Sequence, residues 1–152
     1  MDKLIYKEKT ARKEKVIMMY ALSSLMLFLG IVIFAFAVSN YSALSDYSGG
    51  MLIFLFAIFL ILDAGFNFMS AFNMNKAYVA VYENHVEGMV YYMIFTKGFS
   101  VEYSQITEIQ RDMKKSITIS TISNKYTVAC SGAEKVYNIL MEQWKSQNKM
   151  QR

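Results

Sequence analysis

Two apolar runs, uninterrupted for most of their length, dominate the first half of the chain. Val16–Val38 reads VIMMYALSSLMLFLGIVIFAFAV, and Met51–Phe72 reads MLIFLFAIFLILDAGFNFMSAF. At about 1.5 Å rise per residue, each run covers a hydrocarbon core of about 30 Å, so the pattern predicts two transmembrane helices. The first run could also be a signal peptide, with a basic flank before it and Ala35-Phe36-Ala37 as the cleavage site. A signal core is only about 7–15 residues long, so the helix is expected to remain. The second run is wholly apolar for twelve residues before Asp63 and Asn67 interrupt it.

After Phe72 the period changes from helical to alternating. Tyr78–Tyr82 and His85–Tyr92 read as strands around a Glu83-Asn84 turn, rich in β-branched and aromatic residues. Phe99, Val101 and Tyr103 alternate with polar neighbours after a turn expected at Lys97-Gly98. Ile106–Arg111, Ser116–Ile122 and the stretch of Tyr126, Val128 and Cys130 complete six predicted strands. The last element is an amphipathic helix, with Ala133, Val136, Tyr137, Leu140, Met141 and Trp144 on one stripe. Ser131 and Glu134 have the spacing of a capping box at its start. Residues 148–152 are expected to fray.

Charge then orients these elements. Residues 1–15 carry Lys3, Lys7, Lys9, Arg12, Lys13 and Lys15 against Asp2, Glu8 and Glu14. They read as a solvated basic lead-in, helical in part. The connector at residues 39–50 has no lysine or arginine; Tyr41 and Tyr47 suit its head-group level. The positive-inside rule therefore places the connector outside and both termini in the cytoplasm. The organisation expected is a lead-in (1–15), a helical hairpin (16–72), a cytoplasmic β domain (77–147) and a tail (148–152). The net charge of +4 is spread along the chain, without the basic block expected of a nucleic-acid binder. A lone cysteine, Cys130, makes an intramolecular disulfide impossible and suits a reducing compartment.

A carboxylate within a membrane normally faces protein or water and has a partner. Depth-matching of the two helices suggests Ser23 or Ser24 for Asp63, and Tyr20 for Asn67, forming an intramembrane polar seam. Such a seam would lock the hairpin or an oligomer; the alternative is a proton or ion relay centred on Asp63. Lys13, Lys15, Lys76, Arg111, Lys114 and Lys115 are candidate contacts for anionic lipid or an acidic partner. His85 reads as a strand-start residue, and Cys130 as a packed strand residue. No glycine-rich phosphate loop, catalytic set or metal-ligand spacing occurs, so neither an enzyme nor a cofactor is expected.

The segment Phe99-Ser100-Val101-Glu102-Tyr103-Ser104-Gln105-Ile106-Thr107-Glu108-Ile109 resembles the strand–corner–strand segment of bacterial pleckstrin-homology-like (PH-like) domains. The strand pair Tyr78–Val86 is similar to their opening strands. The resemblance implies an α+β membrane protein: an N-terminal transmembrane helical hairpin, then a PH-like antiparallel β barrel or sheet capped by a C-terminal helix. It also implies a binding or scaffolding role in the bacterial inner membrane, toward a protein partner, a second copy of the chain or the inner leaflet.

Overall fold

A computed structural model describes residues 2–42, 49–112 and 115–150, with the backbone alone at 149 and 150. The chain divides into two compact units. Glu14–Phe72 form one, and the residues flanking them on both sides together form the other.

The first unit is built from helices α1 (Lys13–Ser39) and α2 (Gly50–Lys76). Both outlast the apolar runs, by Lys13–Lys15 and Ser39 in α1 and by Gly50 and Asn73–Lys76 in α2. Both are long and apolar enough to cross a membrane. Their contact is a seam of mostly small side chains. Val16, Ser23, Gly30 and Ala37 are buried on α1, and Gly50, Ala57, Ala64 and Ala71 on α2. The spacing of seven in both helices is the repeat that holds one face against a partner in a left-handed pair. Small residues let the backbones approach. At Gly30 a Cβ would lie 2.8 Å from Ile61 Cγ1 and 3.3 Å from the Ala57 carbonyl oxygen. Aromatic pairs flank the seam: Tyr20 with Phe68 at 5.8 Å and Phe34 with Phe54 at 5.9 Å between ring centroids.

Among the described residues the second unit holds seven strands. β1 (Leu4–Lys9), β2 (Tyr78–Tyr82), β3 (His85–Tyr92) and β4 (Phe95–Glu102) form one antiparallel sheet in that order. A 3-10 turn, Tyr103–Gln105, leads to β5 (Ile106–Asp112), β6 (Ser116–Thr121) and β7 (Lys125–Ala129), the second sheet. The two sheets do not close into a barrel. Helix α3 (Ala133–Met150) packs its Ala133, Val136 and Leu140 into a core shared with both sheets. Tyr137, Met141 and Trp144 flank that contact, as the apolar stripe predicts.

Four expectations are corrected. The basic lead-in is not a solvated, partly helical segment: residues 4–9 are strand β1, paired with β2 from Leu4↔Tyr82 to Lys9↔Tyr78. Its alternation is half-hidden, since Tyr6 and Glu8 turn inward while Lys7 and Lys9 remain exposed. The turn expected at Lys97-Gly98 lies at Met93-Ile94, because β3 and β4 stay paired as far as Tyr92↔Phe95. Gly98 instead sits opposite Met89 in the ladder, and Phe99 lays its ring on Gly88, where a Cβ would be 2.6 Å from the ring. The capping box is not formed. The Ser131 hydroxyl donates to Glu8 Oε1 (3.1 Å) and Glu134 pairs with Arg111 (3.1 Å). Finally, α3 runs to Met150 rather than fraying at 148; residues 151 and 152 lie outside the described residues, as do 43–48 of the connector.

Candidate functional sites in the helix pair and the sheet domain

The intramembrane polar seam does not bridge the helices as depth-matching suggests. The Asn67 amide donates to the Asp63 carbonyl (2.9 Å) and to Asp63 Oδ2 (3.0 Å), one turn earlier in the same helix. Ser23 donates to the Met19 carbonyl (2.7 Å) and Ser24 to the Tyr20 carbonyl (2.9 Å). A serine within a helix has its i−4 carbonyl within reach, so its hydroxyl is satisfied without crossing to a neighbour. Ser23 is fully buried in the small-residue seam, Ser24 is exposed, and Asp63 and Asn67 are half-buried at the seam's edge. Tyr20 meets α2 through the ring of Phe68 rather than through Asn67.

The basic candidates separate. Arg111 is engaged within the sheet domain, its guanidinium on Glu134 and 5.7 Å from the Tyr137 ring centroid. Lys114 lies outside the described residues, and Lys115 is exposed. Lys13 opens α1 and Lys76 closes α2, where the helix dipole favours a cation. The Thr10 amide donates to the Ala77 carbonyl (3.0 Å), so the chain leaves the sheet for the helices and returns to it at neighbouring points.

Strand β1 supplies two polar stations beyond those expected. At its start, Asp2 Oδ2 is 2.7 Å from His85 Nδ1 and Asp2 Oδ1 accepts from the Asn84 amide (3.1 Å). The His85 ring stacks on Tyr82, with centroids 4.5 Å apart. Gln147 of α3 donates to the Glu83 carbonyl (3.2 Å), closing this end. The residues border an open cavity of about 470 Å³ that also reaches Ser100, Glu102 and Ser104. The bonds of Asp2 and Gln147 tie the start of β1 and α3 to the β2–β3 turn. A hydrogen bond between Asp2 and His85 carries no local sequence signal, because 83 positions separate them.

Toward the other end of β1, Glu8 accepts from the Tyr6 hydroxyl (2.6 Å) and from Ser131 (3.1 Å) beside the first turn of α3. A carboxylate is favoured there by the unpaired amides of a helix start. The hydrogen bond to Glu8, then burial, push the Tyr6 hydroxyl from 10.0 up to about 12. Burial, then the charge of Glu8, push the Cys130 thiol from 9.0 up to about 11. Both groups hold their protons to higher pH in the folded chain than in the unfolded one. The stability this gives is complete below about pH 9 and is lost as pH rises through about 11 to 12. The thermal midpoint of the sheet domain is therefore expected to fall across that window, as read by circular dichroism. Glu8→Ala should remove the Tyr6 share of the fall. A midpoint that stays level from pH 9 to 12 would contradict this.

Among the described residues, no cluster of three histidine, cysteine, aspartate or glutamate side chains is arranged to hold a metal ion. No protein-family model matches the chain, and no curated protein matches it.

Proposed function

We propose that this chain is a non-enzymatic, membrane-anchored binding or scaffold protein of a bacterial inner membrane. Its α1–α2 pair spans the bilayer, and both termini, with the sheet domain, lie on the cytoplasmic face. The observation that carries the reading is the β1–β2 ladder. Strands on either side of the helical hairpin belong to one sheet, so both ends of the hairpin return to the same place and, across a bilayer, to the same side. Only 17% and 11% of the residues in the most apolar windows of α1 and α2 are buried. The core helix of a soluble protein would be mostly covered. Large apolar residues such as Leu22, Phe28, Leu55 and Phe59 face outward instead, as lipid-facing residues do. The basic flanks then set the cytoplasmic side.

Seven strands in a four-plus-three arrangement followed by one helix is also the element order of a PH-like domain, with the seventh strand coming from the N-terminal segment. That supports the resemblance in the strand–corner–strand region. The sheets remain open, which leaves edge strands that can accept an extended partner peptide. A photo-crosslinking residue at Gln110, exposed on edge strand β5, tests this in native membranes. A discrete protein adduct at Gln110, absent when the same residue sits at Lys145, is expected. Equal or no capture at both sites would count against a binding edge.

The second reading is a proton or ion relay at Asp63. The Asp63–Asn67 hydrogen bonds within α2 favour a structural role instead. Asp63→Asn is expected to keep the protein assembled, with a thermal midpoint in detergent within a few degrees of the parent. It should also leave the proton permeability of reconstituted vesicles unchanged. A permeability carried by the parent and lost with Asp63→Asn would move the assignment to transport.

A further inference from the structure

We propose that the tip of the β3–β4 hairpin, Tyr92–Phe95, is a membrane-inserting element that seats the sheet domain on the anionic bilayer surface. The proposal rests on the reading of α1 and α2 as membrane-spanning.

Three observations converge on it. The first is exposure. Tyr92, Met93, Ile94 and Phe95 stand in a row at 42%, 57%, 48% and 56% exposure, with the Tyr92 and Phe95 rings stacked at 5.1 Å. Four consecutive large apolar residues at a solvated turn are unfavourable unless something covers them.

The second is backbone strain. Met93 has φ of 31°, the only positive φ at a non-glycine position among the described residues. Two-residue hairpin turns normally place asparagine, aspartate or glycine at such a position. A methionine held there points to a requirement for its side chain rather than for the turn.

The third is register. Lys9, Tyr78, Met89 and Gly98 lie on one rung across β1, β2, β3 and β4. β1 leaves that rung toward α1, and β2 arrives at it from α2 after a single intervening residue. β3 and β4 continue past the rung in the same direction, through Val90↔Lys97 and Tyr92↔Phe95. The tip therefore projects about 13 Å, four residues at about 3.3 Å each, beyond the sheet end to which both helices are joined.

Charge follows the same polarity. Residues 9–15 and 73–77 hold Lys9, Arg12, Lys13, Lys15 and Lys76 against one acid, Glu14, and Lys97 sits exposed beside the tip. The far end of the sheet carries Asp2, Glu83 and Glu102 against one base, Lys3. A basic end with an apolar tip fits phosphate head groups above acyl chains, whereas the acidic far end is repelled by them.

The test uses the full chain reconstituted in vesicles of phosphatidylcholine and phosphatidylglycerol. Single cysteines carrying an environment-sensitive fluorophore are placed at Met93, at Phe95 as a second tip site, at Ile122 and at Leu29. Ile122 is 94% exposed, and the native Cys130 is buried. Quenching by nitroxide-bearing lipids and by an aqueous quencher is measured at each position. The expected result is a blue-shifted, lipid-quenched signal at Met93 and Phe95, lipid quenching at Leu29, and aqueous quenching alone at Ile122. Lipid quenching at Leu29 with only aqueous quenching at the tip overturns the proposal while leaving the spanning helices in place. Tip sites shielded from both quenchers also overturn it, because another protein then covers them. Absence of lipid quenching at Leu29 removes the membrane reading and this proposal together.

Discussion

Removing residues 2–9 is expected to unfold the sheet domain while leaving α1 and α2 helical. β1 is part of the fold, although it stands apart from the other strands in the sequence. It pairs along β2 from Leu4↔Tyr82 to Lys9↔Tyr78, closing that edge of β2, and its Tyr6 packs against the core that holds Val79 and Val81. Its Glu8 also holds Ser131 at the start of α3, and Asp2, two residues before the strand, holds His85 and Asn84. With roughly 1 kcal/mol net for each hydrogen bond, loss of a ladder of five pairs and of the three bonds at the polar stations costs about 8 kcal/mol. Small domains have a total stability of about 5–15 kcal/mol, so little is left. Limited proteolysis and near-UV circular dichroism would report the loss, with far-UV helix signal retained. A truncated chain that kept its protease resistance would show that β1 is dispensable.

Gly30→Leu is expected to force α1 and α2 apart. A Cβ at residue 30 meets Ile61 Cγ1 at 2.8 Å and Leu60 Cβ at 3.2 Å, so even the first atom of a leucine side chain requires α2 to shift. Overpacking of this kind costs about 1–3 kcal/mol. Gly65→Leu is the matched control, because a Cβ at residue 65 meets nothing within 4 Å. Replacing a helical glycine there should be neutral or slightly stabilising. Spin labels at Tyr20 and Phe68, whose rings are now 5.8 Å apart, would read a longer and broader distance distribution for Gly30→Leu only. Equal effects at the two glycines would contradict the seam.

The helices were legible because continuous apolarity over such a length has few other solutions, and α3 because its stripe has an unambiguous helical period. Strand β1 was hidden by its setting. It lies at a sheet edge, exposes Lys7 and Lys9, and finds its partner only across the whole helical hairpin. Local alternation could not distinguish it from a charged flank. The β3–β4 turn was misplaced for a related reason: Lys97-Gly98 has turn composition, yet the ladder keeps both residues and leaves the turn to Met93-Ile94, which does not. At Asp63 the chemistry was legible but the partner was not. Depth-matching assumed that polar groups pair between helices, whereas Asn67 and the i−4 carbonyls were closer at hand. The seam itself was written in the sequence as small residues seven apart, a signal quieter than the charge of one carboxylate.

The most direct test is the sidedness of three positions in sealed membrane vesicles. Single cysteines at Lys3, Tyr41 and Lys125, all exposed, are probed with a membrane-impermeant thiol reagent added from either face. The buried Cys130 thiol, pushed up to about 11, should stay silent. The prediction is that Lys3 and Lys125 react from one face and Tyr41 only from the other. Reaction of Lys3 and Lys125 from opposite faces, or of all three from the same face, would contradict a hairpin that crosses the membrane and has strands of one sheet at both its ends.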